Sequence, residues 1–155
     1  MLRDRTNADA LLSWLNRMPA VNAALPGPER EVLALLAEDE LGYEEISWVL
    51  GIATGDVAAL GGSGRLRMAR ALGLDASEAP GGPGHLDLGR LSASIDGDDR
   101  DAGHLRSCPP CRRLHVAMRA ADRIYRNWAS APMPDAVRWR VGQRLRLACA
   151  AEDGR

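Results

Sequence analysis

Residues 104–111 read His104-Leu105-Arg106-Ser107-Cys108-Pro109-Pro110-Cys111, which is the pattern H-x3-C-x2-C. Two thiolates separated by two residues can bind one tetrahedral ion, and a histidine four residues earlier on a helical turn reaches the same point. Imidazole and thiolate are ligands that suit zinc. The spacing therefore predicts a zinc site in the C-terminal half of the chain.

A structural zinc site needs four protein ligands, so one further ligand is expected. His85 is the first candidate, and His115, one helical turn after Cys111, is its main rival. The third cysteine, Cys149, fits the role of a small apolar side chain. The chain contains neither H-E-x-x-H nor the H-x-E pattern of zinc deaminases. These residues predict one structural zinc ion and no catalytic residue, so we expect a binding protein rather than an enzyme.

The composition indicates an all-α fold. The 155 residues are rich in Ala and Leu, contain no Phe and only two Tyr, and include few residues that favour strands. Two of the three cysteines lie beside histidines with C-x-x-C spacing, which suits a metal site in a reducing compartment better than disulfides. There is no apolar stretch of about 18 residues, and the N-terminal sequence is too charged for a signal peptide. We therefore expect a cytoplasmic protein.

The charge of the chain is unevenly distributed. Residues 1–74 contain seven arginines and ten acidic residues, a net charge of −3, whereas residues 104–146 contain ten arginines and two aspartates, a net charge of +8. All 20 basic residues of the chain are arginines. The basic segment is either the solvated face of amphipathic helices or a surface for an acidic partner.

Two helices are predicted before residue 40. The first has an apolar stripe at Leu11, Leu15 and Met18, and it is expected to end before Pro19 because proline disrupts a helix interior. The second begins at residues 26–29, Pro26-Gly27-Pro28-Glu29, since proline is tolerated in a first turn and glutamate suits the positive end of the helix dipole.

A third and a fourth helix complete a helix-turn-helix unit. The third spans residues 43–50. Its residues expected to be buried are Ile46, Val49 and Leu50. The fourth segment is centred on Val57 and Leu60, is interrupted by Gly61-Gly62-Ser63-Gly64, and gives way to a further helix over Arg65–Leu72.

The run Pro80-Gly81-Gly82-Pro83-Gly84 is the clearest boundary in the chain, because consecutive Pro and Gly residues cannot hold a helix. The sequence therefore predicts an N-terminal helix-turn-helix domain at residues 1–74, a linker at 75–84 and a small zinc-binding domain at 85–155.

Three helices are predicted beyond the linker. They are a short helix over Leu86–Ile95, a long helix from His104, and a last helix capped by Asp135. The apolar stripe of the long helix consists of Leu114, Met118, Ala121, Tyr125 and Trp128. The stripe of the last helix consists of Val137, Val141, Leu145 and Ala148.

The four tryptophans, Trp14, Trp48, Trp128 and Trp139, are mainly candidates for the core. Trp48 and Trp139 lie outside the apolar stripes, however. Each of these two is therefore also a candidate for an exposed anchor of an interface, a role in which tryptophan is enriched.

Residues 85–97 read His85-Leu86-Asp87-Leu88-Gly89-Arg90-Leu91-Ser92-Ala93-Ser94-Ile95-Asp96-Gly97 and precede the H-x3-C-x2-C run. This arrangement resembles the zinc-binding anti-sigma domain of bacteria, in which a His or Cys precedes an L-S-A-Y-L-D-G segment and an H-L-x-x-C-x-x-C run. The resemblance covers residues 85–147. It implies the ligands His85, His104, Cys108 and Cys111, and it favours His85 over His115.

The chain departs from the anti-sigma pattern at two places. Ser94 replaces the usual aromatic residue, and the segment over residues 98–103 is shorter than usual. The second helix of that domain is therefore truncated here, which affects the shape of the face that binds a sigma factor.

Residues 25–60 resemble region four of sigma factors, the helix-turn-helix that reads the promoter −35 element. Residues 25–33, L-P-G-P-E-R-E-V-L, match the opening L-P-x-x-x-R-E-V-L of that region, and residues 42–52 match its helix-turn-helix entry. The segment that would read DNA, residues 54–62, contains no positive charge and includes Asp56. Because cations supply most of the affinity for duplex DNA, we expect poor DNA binding.

These resemblances imply a transcription regulator that acts by protein binding, through sequestration of a sigma factor or contact with the transcription machinery. We also expect the acidic N-terminal and basic C-terminal halves to dock on each other, within one chain or between two.

Two alternatives to this regulatory function remain. One is a DNA-binding factor in which Arg65–Arg70 and the basic C-terminal helices contact the duplex. The other is a redox sensor that releases zinc when Cys108 and Cys111 are oxidised.

Overall fold

The computed structural model describes residues 2–37, 41–76 and 81–130 and contains helices but no strands in these ranges. The predicted all-α fold is thus confirmed. The helices are α1 Leu2–Ala24, α2 Gly27–Ala37, α3 Tyr43–Leu50, α4 Thr54–Ala71, α5 Leu88–Ile95, α6 Ala102–Ser107 and α7 Pro109–Ala129. The predicted last helix, with Asp135, Trp139 and Cys149, lies outside the described residues.

Helix α4 is the centre of the fold, and α2, α3, α5 and α7 all pack against it. A larger hydrophobic cluster contains buried side chains from α1, α2, α4, α5 and α7, and a smaller cluster joins α2, α3 and α4. Helices of the predicted N-terminal domain and of the predicted zinc-binding domain therefore share one core. A division of the chain into independently folding domains stays a prediction.

Helix α1 continues through Pro19 to Ala24, so the predicted end before Pro19 is wrong. A proline inside a helix removes one backbone hydrogen bond and crowds the preceding turn. Met18, Val21 and Leu25 are buried in the larger cluster on either side of Pro19. Their burial offsets the loss at the proline and keeps the chain helical.

Helix α4 runs without a break through Gly61-Gly62-Ser63-Gly64, so the predicted interruption is also wrong. The three glycines are buried and contact neighbouring helices closely: Gly61 and Gly64 lie against side chains of α2, and Gly62 lies against the backbone of α5. Glycine lowers helix propensity, but here its missing side chain lets helices approach. Tertiary packing outweighs local propensity in α4.

The long helix predicted from His104 is in fact two helices, α6 and α7, which meet at Cys108. Pro109 and Pro110 begin α7, because proline fits the first turn of a helix but cannot continue a preceding one. The predicted stripe is otherwise confirmed on α7, where Leu114, Met118, Ala121 and Tyr125 are buried and Trp128 is partly buried.

Helix α3 spans the predicted residues and buries Ile46, with Leu50 partly buried. Val49 was expected to be buried but is 53% exposed. Successive residues of a helix are about 100° apart. The inward face of α3 is centred between Ile46 and Leu50, so Val49 points away from the smaller cluster.

Within the described ranges, no single helix is long and apolar enough to cross a lipid bilayer. Helices α3 and α4 together satisfy the same criteria of length and composition, but they are bent by 100° where they meet.

Candidate metal centre

Four side chains from two stretches of the chain, His85 and residues 104–111, meet at one end of α5 and α7. His85 lies just before α5, His104 is in α6, Cys108 lies between α6 and α7, and Cys111 is in the first turn of α7. One potential ligand atom from each residue lies within 4.8 Å of the others, close enough to bind one metal ion. The four residues predicted from the sequence as ligands are therefore brought together.

The two separations between His85 and the cysteine sulfurs match those around one tetrahedral ion. His85 Nδ1 lies 3.4 Å from Cys108 Sγ and 3.5 Å from Cys111 Sγ. With the usual zinc–nitrogen and zinc–sulfur bond lengths, a nitrogen and a sulfur on one tetrahedral zinc are about 3.5 Å apart. His104 Nε2 is buried and has no hydrogen-bond partner among the described residues. A metal ion would satisfy this buried nitrogen.

The junction of α6 and α7 holds both cysteines in place. Cys108 has an extended backbone (φ −108°, ψ 98°), and its amide donates a hydrogen bond of 2.8 Å to the His104 carbonyl. Its own carbonyl accepts a hydrogen bond of 3.0 Å from the Arg112 amide, in the first turn of α7. Cys108 thus ends one helix and begins the next, and the turn directs the two thiols to the same point.

The environment of Cys111 disfavours a free thiolate. Burial raises the pKa of the Cys111 thiol above its ordinary value, and only the Leu86 amide, which donates to Sγ at 3.4 Å, acts in the opposite direction. A nearby cation stabilises a thiolate because it supplies the missing positive charge. A metal ion bound at this cluster would supply that charge.

His115 is not part of this cluster. Its Nε2 atom is buried without a hydrogen-bond partner among the described residues, and burial, with Arg119 nearby, lowers the pKa of its imidazole. His115 lies beside Arg112 and Arg119 in a shallow cleft. The structure therefore places His115, the rival candidate for the fourth ligand, outside the cluster that contains His104, Cys108 and Cys111.

A second polar cluster, unexpected from the sequence, joins α4 to α5 and α7. Arg65 is completely buried and donates hydrogen bonds to both carboxylate oxygens of Asp96 (2.6 and 2.7 Å), to Asp122 Oδ1 (2.9 Å) and to Ser92. Tyr43 of α3 donates to Asp96 as well. Asp96 and Asp122 hold the pKa of Arg65 above its ordinary value despite its burial.

This cluster bears on the alternative in which Arg65–Arg70 contact DNA. Arg65 has no access to solvent, Arg67 pairs with Glu29, and the Arg70 side chain donates to the Ala76 carbonyl. Arg65 therefore cannot reach a duplex in this packing. One signal of the cluster was present in the sequence: Asp122 follows Met118 by four residues and so falls on the buried stripe of α7.

No protein-family model matches the chain, and no curated protein and no solved structure matches it. Its described part is an all-helical protein with a His/Cys cluster that can bind a metal ion.

Proposed function

We propose that the chain is a transcription regulator that acts by binding another protein, and that one structural zinc ion bound by His85, His104, Cys108 and Cys111 stabilises its C-terminal part. The observation that carries the proposal is the convergence of these four ligand atoms within 4.8 Å. Four protein ligands fill a tetrahedral zinc and leave no position for a reacting water, which is the arrangement of structural sites. The zinc would supply folding free energy rather than catalysis.

The proposed partner is a sigma factor or another protein of the transcription machinery. The support is the resemblance of residues 85–147 to zinc-binding anti-sigma domains and of residues 25–60 to sigma region four. Helices α2, α3 and α4 have the lengths and short connections of a helix-turn-helix unit. Since α4 packs against α5 and α7, an external sigma factor would compete with the chain's own helices for that part of the surface.

Two measurements test the proposal. Elemental analysis of protein purified without added metal should give one zinc per chain, and calorimetry with sigma factors from the same cell should show binding by the wild-type chain. A Cys108→Ser/Cys111→Ser variant is the control and should lose both the zinc and the binding. Stoichiometric zinc without binding to any sigma factor would contradict the proposed partner, whereas zinc well below one per chain would contradict the metal site.

A DNA-binding role is the second candidate, and the exposed arginines of α7 are the observation in its favour. Titration of duplex DNA at increasing salt distinguishes the two functions. Binding through phosphates weakens steeply with salt because counterions are released. We expect weak binding that does not depend on the DNA sequence.

A further inference from the structure

Helix α3 exposes its largest side chain. Trp48 is 86% exposed and Val49 is 53% exposed, while Ile46 on the inward side is fully buried. Glu44 precedes Trp48 by one helical turn, and Glu45 precedes Val49 in the same way. We call these four residues the α3 surface. Tryptophan is usually well buried, and an exposed one is enriched at the centres of protein interfaces.

Helix α3 presents this surface rigidly. The Gly42 amide donates to Glu45 Oε2 at 3.0 Å and caps the start of the helix. Gly51 ends the helix in a left-handed conformation (φ 66°), and Ser47 Oγ donates to the Ile52 carbonyl at 2.6 Å. A surface held in one conformation loses little entropy when it binds a partner.

A complementary surface lies on α7. Val116 is 60% exposed and is surrounded on the same side of the helix by four exposed arginines. We call these residues the α7 surface: Arg112, Arg113, Val116, Arg119 and Arg123. None of the arginines forms an ion pair with a described residue, and the acidic residue of α7, Asp122, is turned inward to Arg65. The α7 surface is an apolar spot within concentrated positive charge.

We propose that the α3 surface of one chain binds the α7 surface of a second copy. Two carboxylates would face arginines, and Trp48 would cover Val116. Within one chain both surfaces are exposed, so they do not cover each other. The carboxylates of the α3 surface repel phosphates, which makes a nucleic acid or an anionic membrane a poor occupant of it. This self-association goes beyond the proposed regulatory function and does not depend on it.

The contact joins two different surfaces, so it is head-to-tail. Each added chain leaves one α3 surface and one α7 surface unused at the ends of the assembly. Unless the rotation between chains closes a ring, association continues with concentration instead of stopping at a dimer.

Sedimentation of the full chain tests the proposal. The weight-average mass should rise from the monomer value between micromolar and near-millimolar concentration at low salt, and it should fall at high salt because exposed charges are screened. Trp48→Ala should weaken the association by at least about tenfold, since it removes the apolar anchor. Because Trp48 is exposed, this variant should keep its circular dichroism spectrum and its zinc content.

A charge exchange gives the sharper test. A Glu44→Arg/Glu45→Gln variant removes both negative charges, while the glutamine keeps the helix cap. An Arg119→Glu/Arg123→Glu variant reverses charge on the other surface. Each should stay monomeric alone, and a mixture of the two should associate. Glu31→Arg, a charge reversal at an exposed position of α2, is the matched control and should associate like the wild type.

Two results would overturn the proposal. One is a wild-type chain that stays monomeric at near-millimolar concentration and low salt. This result would mean that the α3 surface binds a different protein. The other is association that none of the α3 and α7 variants changes, which would place the contact elsewhere. Zinc content is measured on every sample, so failure of the metal site is seen separately.

Discussion

Gly62 of α4 and Leu88 of α5 lie so close together that a Cβ atom at Gly62 would be 2.2 Å from the Leu88 carbonyl oxygen. The obstacle is backbone and cannot rotate away, so α4 and α5 would have to separate. Gly62→Ala should therefore destabilise the protein by about 1–3 kcal/mol, although alanine is the better helix former. Urea unfolding followed by tryptophan fluorescence measures this change.

The matched control for Gly62→Ala is Gly55→Ala. Gly55 is in the first turn of the same helix, is exposed, and has no atom within 4 Å of a Cβ at its position. This variant should be neutral or slightly more stable. Equal destabilisation by both substitutions would mean that the close approach of α4 and α5 is not what requires Gly62.

The Arg65 cluster predicts a large loss of stability when the cation is removed. Arg65→Met keeps much of the side-chain volume but removes the buried cation. Among the described cations, Asp96 and Asp122 are then left with Arg126 alone, which is 31% exposed and lies 3.5 and 2.9 Å from them. Loss of one member of a buried ion pair costs about 3–5 kcal/mol. The measurement is the free energy of unfolding at neutral pH.

Arg100→Met is the control for Arg65→Met. Arg100 pairs with Asp98 on the surface, and its side chain is 84% exposed. Water and salt screen such pairs, so we expect little change in stability. A small effect of Arg65→Met, similar to that of the control, would contradict the structure around α4.

Tyr43 predicts a loss of stability in alkali. Burial, with the adjacent Asp96 carboxylate, raises the pKa of Tyr43 to about 12. The unfolded chain ionises this tyrosine near its ordinary pKa of about 10, whereas the folded protein resists ionisation. The stabilisation is therefore complete below pH 10 and is lost as the pH rises from about 10 to about 12.

Comparison with Tyr43→Phe isolates this effect. The variant should be about 1 kcal/mol less stable at neutral pH, because the hydrogen bond to Asp96 is lost. Its stability should also fall less steeply than that of the wild type above pH 10, while Tyr125 titrates in both proteins. Unfolding in urea across this pH range provides the data, and parallel curves would contradict the assignment.

The proposed zinc site predicts different outcomes for two histidines. His85→Ala should lose zinc and lower the melting temperature, since Nδ1 of His85 lies beside both cysteine sulfurs. His115→Ala, the control, should keep its zinc because His115 lies outside the cluster. Zinc is quantified after gel filtration, and melting is followed with and without a chelator. Retention of zinc by His85→Ala and its loss from His115→Ala would reverse the assignment.

The sequence was most informative where chemistry depends on spacing. The run from His104 to Cys111 predicted three residues that do meet, and residues 85–97 pointed to His85 through resemblance. The all-α fold and most helix positions followed from composition and apolar periodicity. Ligand spacing, composition and apolar periodicity depend on residues that are close together in the sequence, so a single sequence is enough to detect them.

The break between α6 and α7 has a local cause in Pro109 and Pro110, and the other errors arose where contacts distant in sequence override local preference. Gly61, Gly62 and Gly64 indicate a break when α4 is considered alone, and only the close packing of α2 and α5 explains why glycine fits inside this helix. Arg65 looked like a surface cation because its partners, Asp96 and Asp122, lie far along the chain. Val49 fits the periodicity of α3 but lies beyond the edge of the face that α2 and α4 cover.

The buried Arg65 also affects the register in which α5 and α7 pack along α4. Three of the buried residues of α4 are Gly and one is Ala, and the missing side chain of Gly62 leaves room for the Leu88 backbone of α5. A shift of one helical turn would bring Ala58 or Leu66 to the Leu88 carbonyl in place of Gly62. It would also move the Arg65 guanidinium away from its two carboxylates. We infer that Gly62 and Arg65 together select a single alignment of the helices packed against α4.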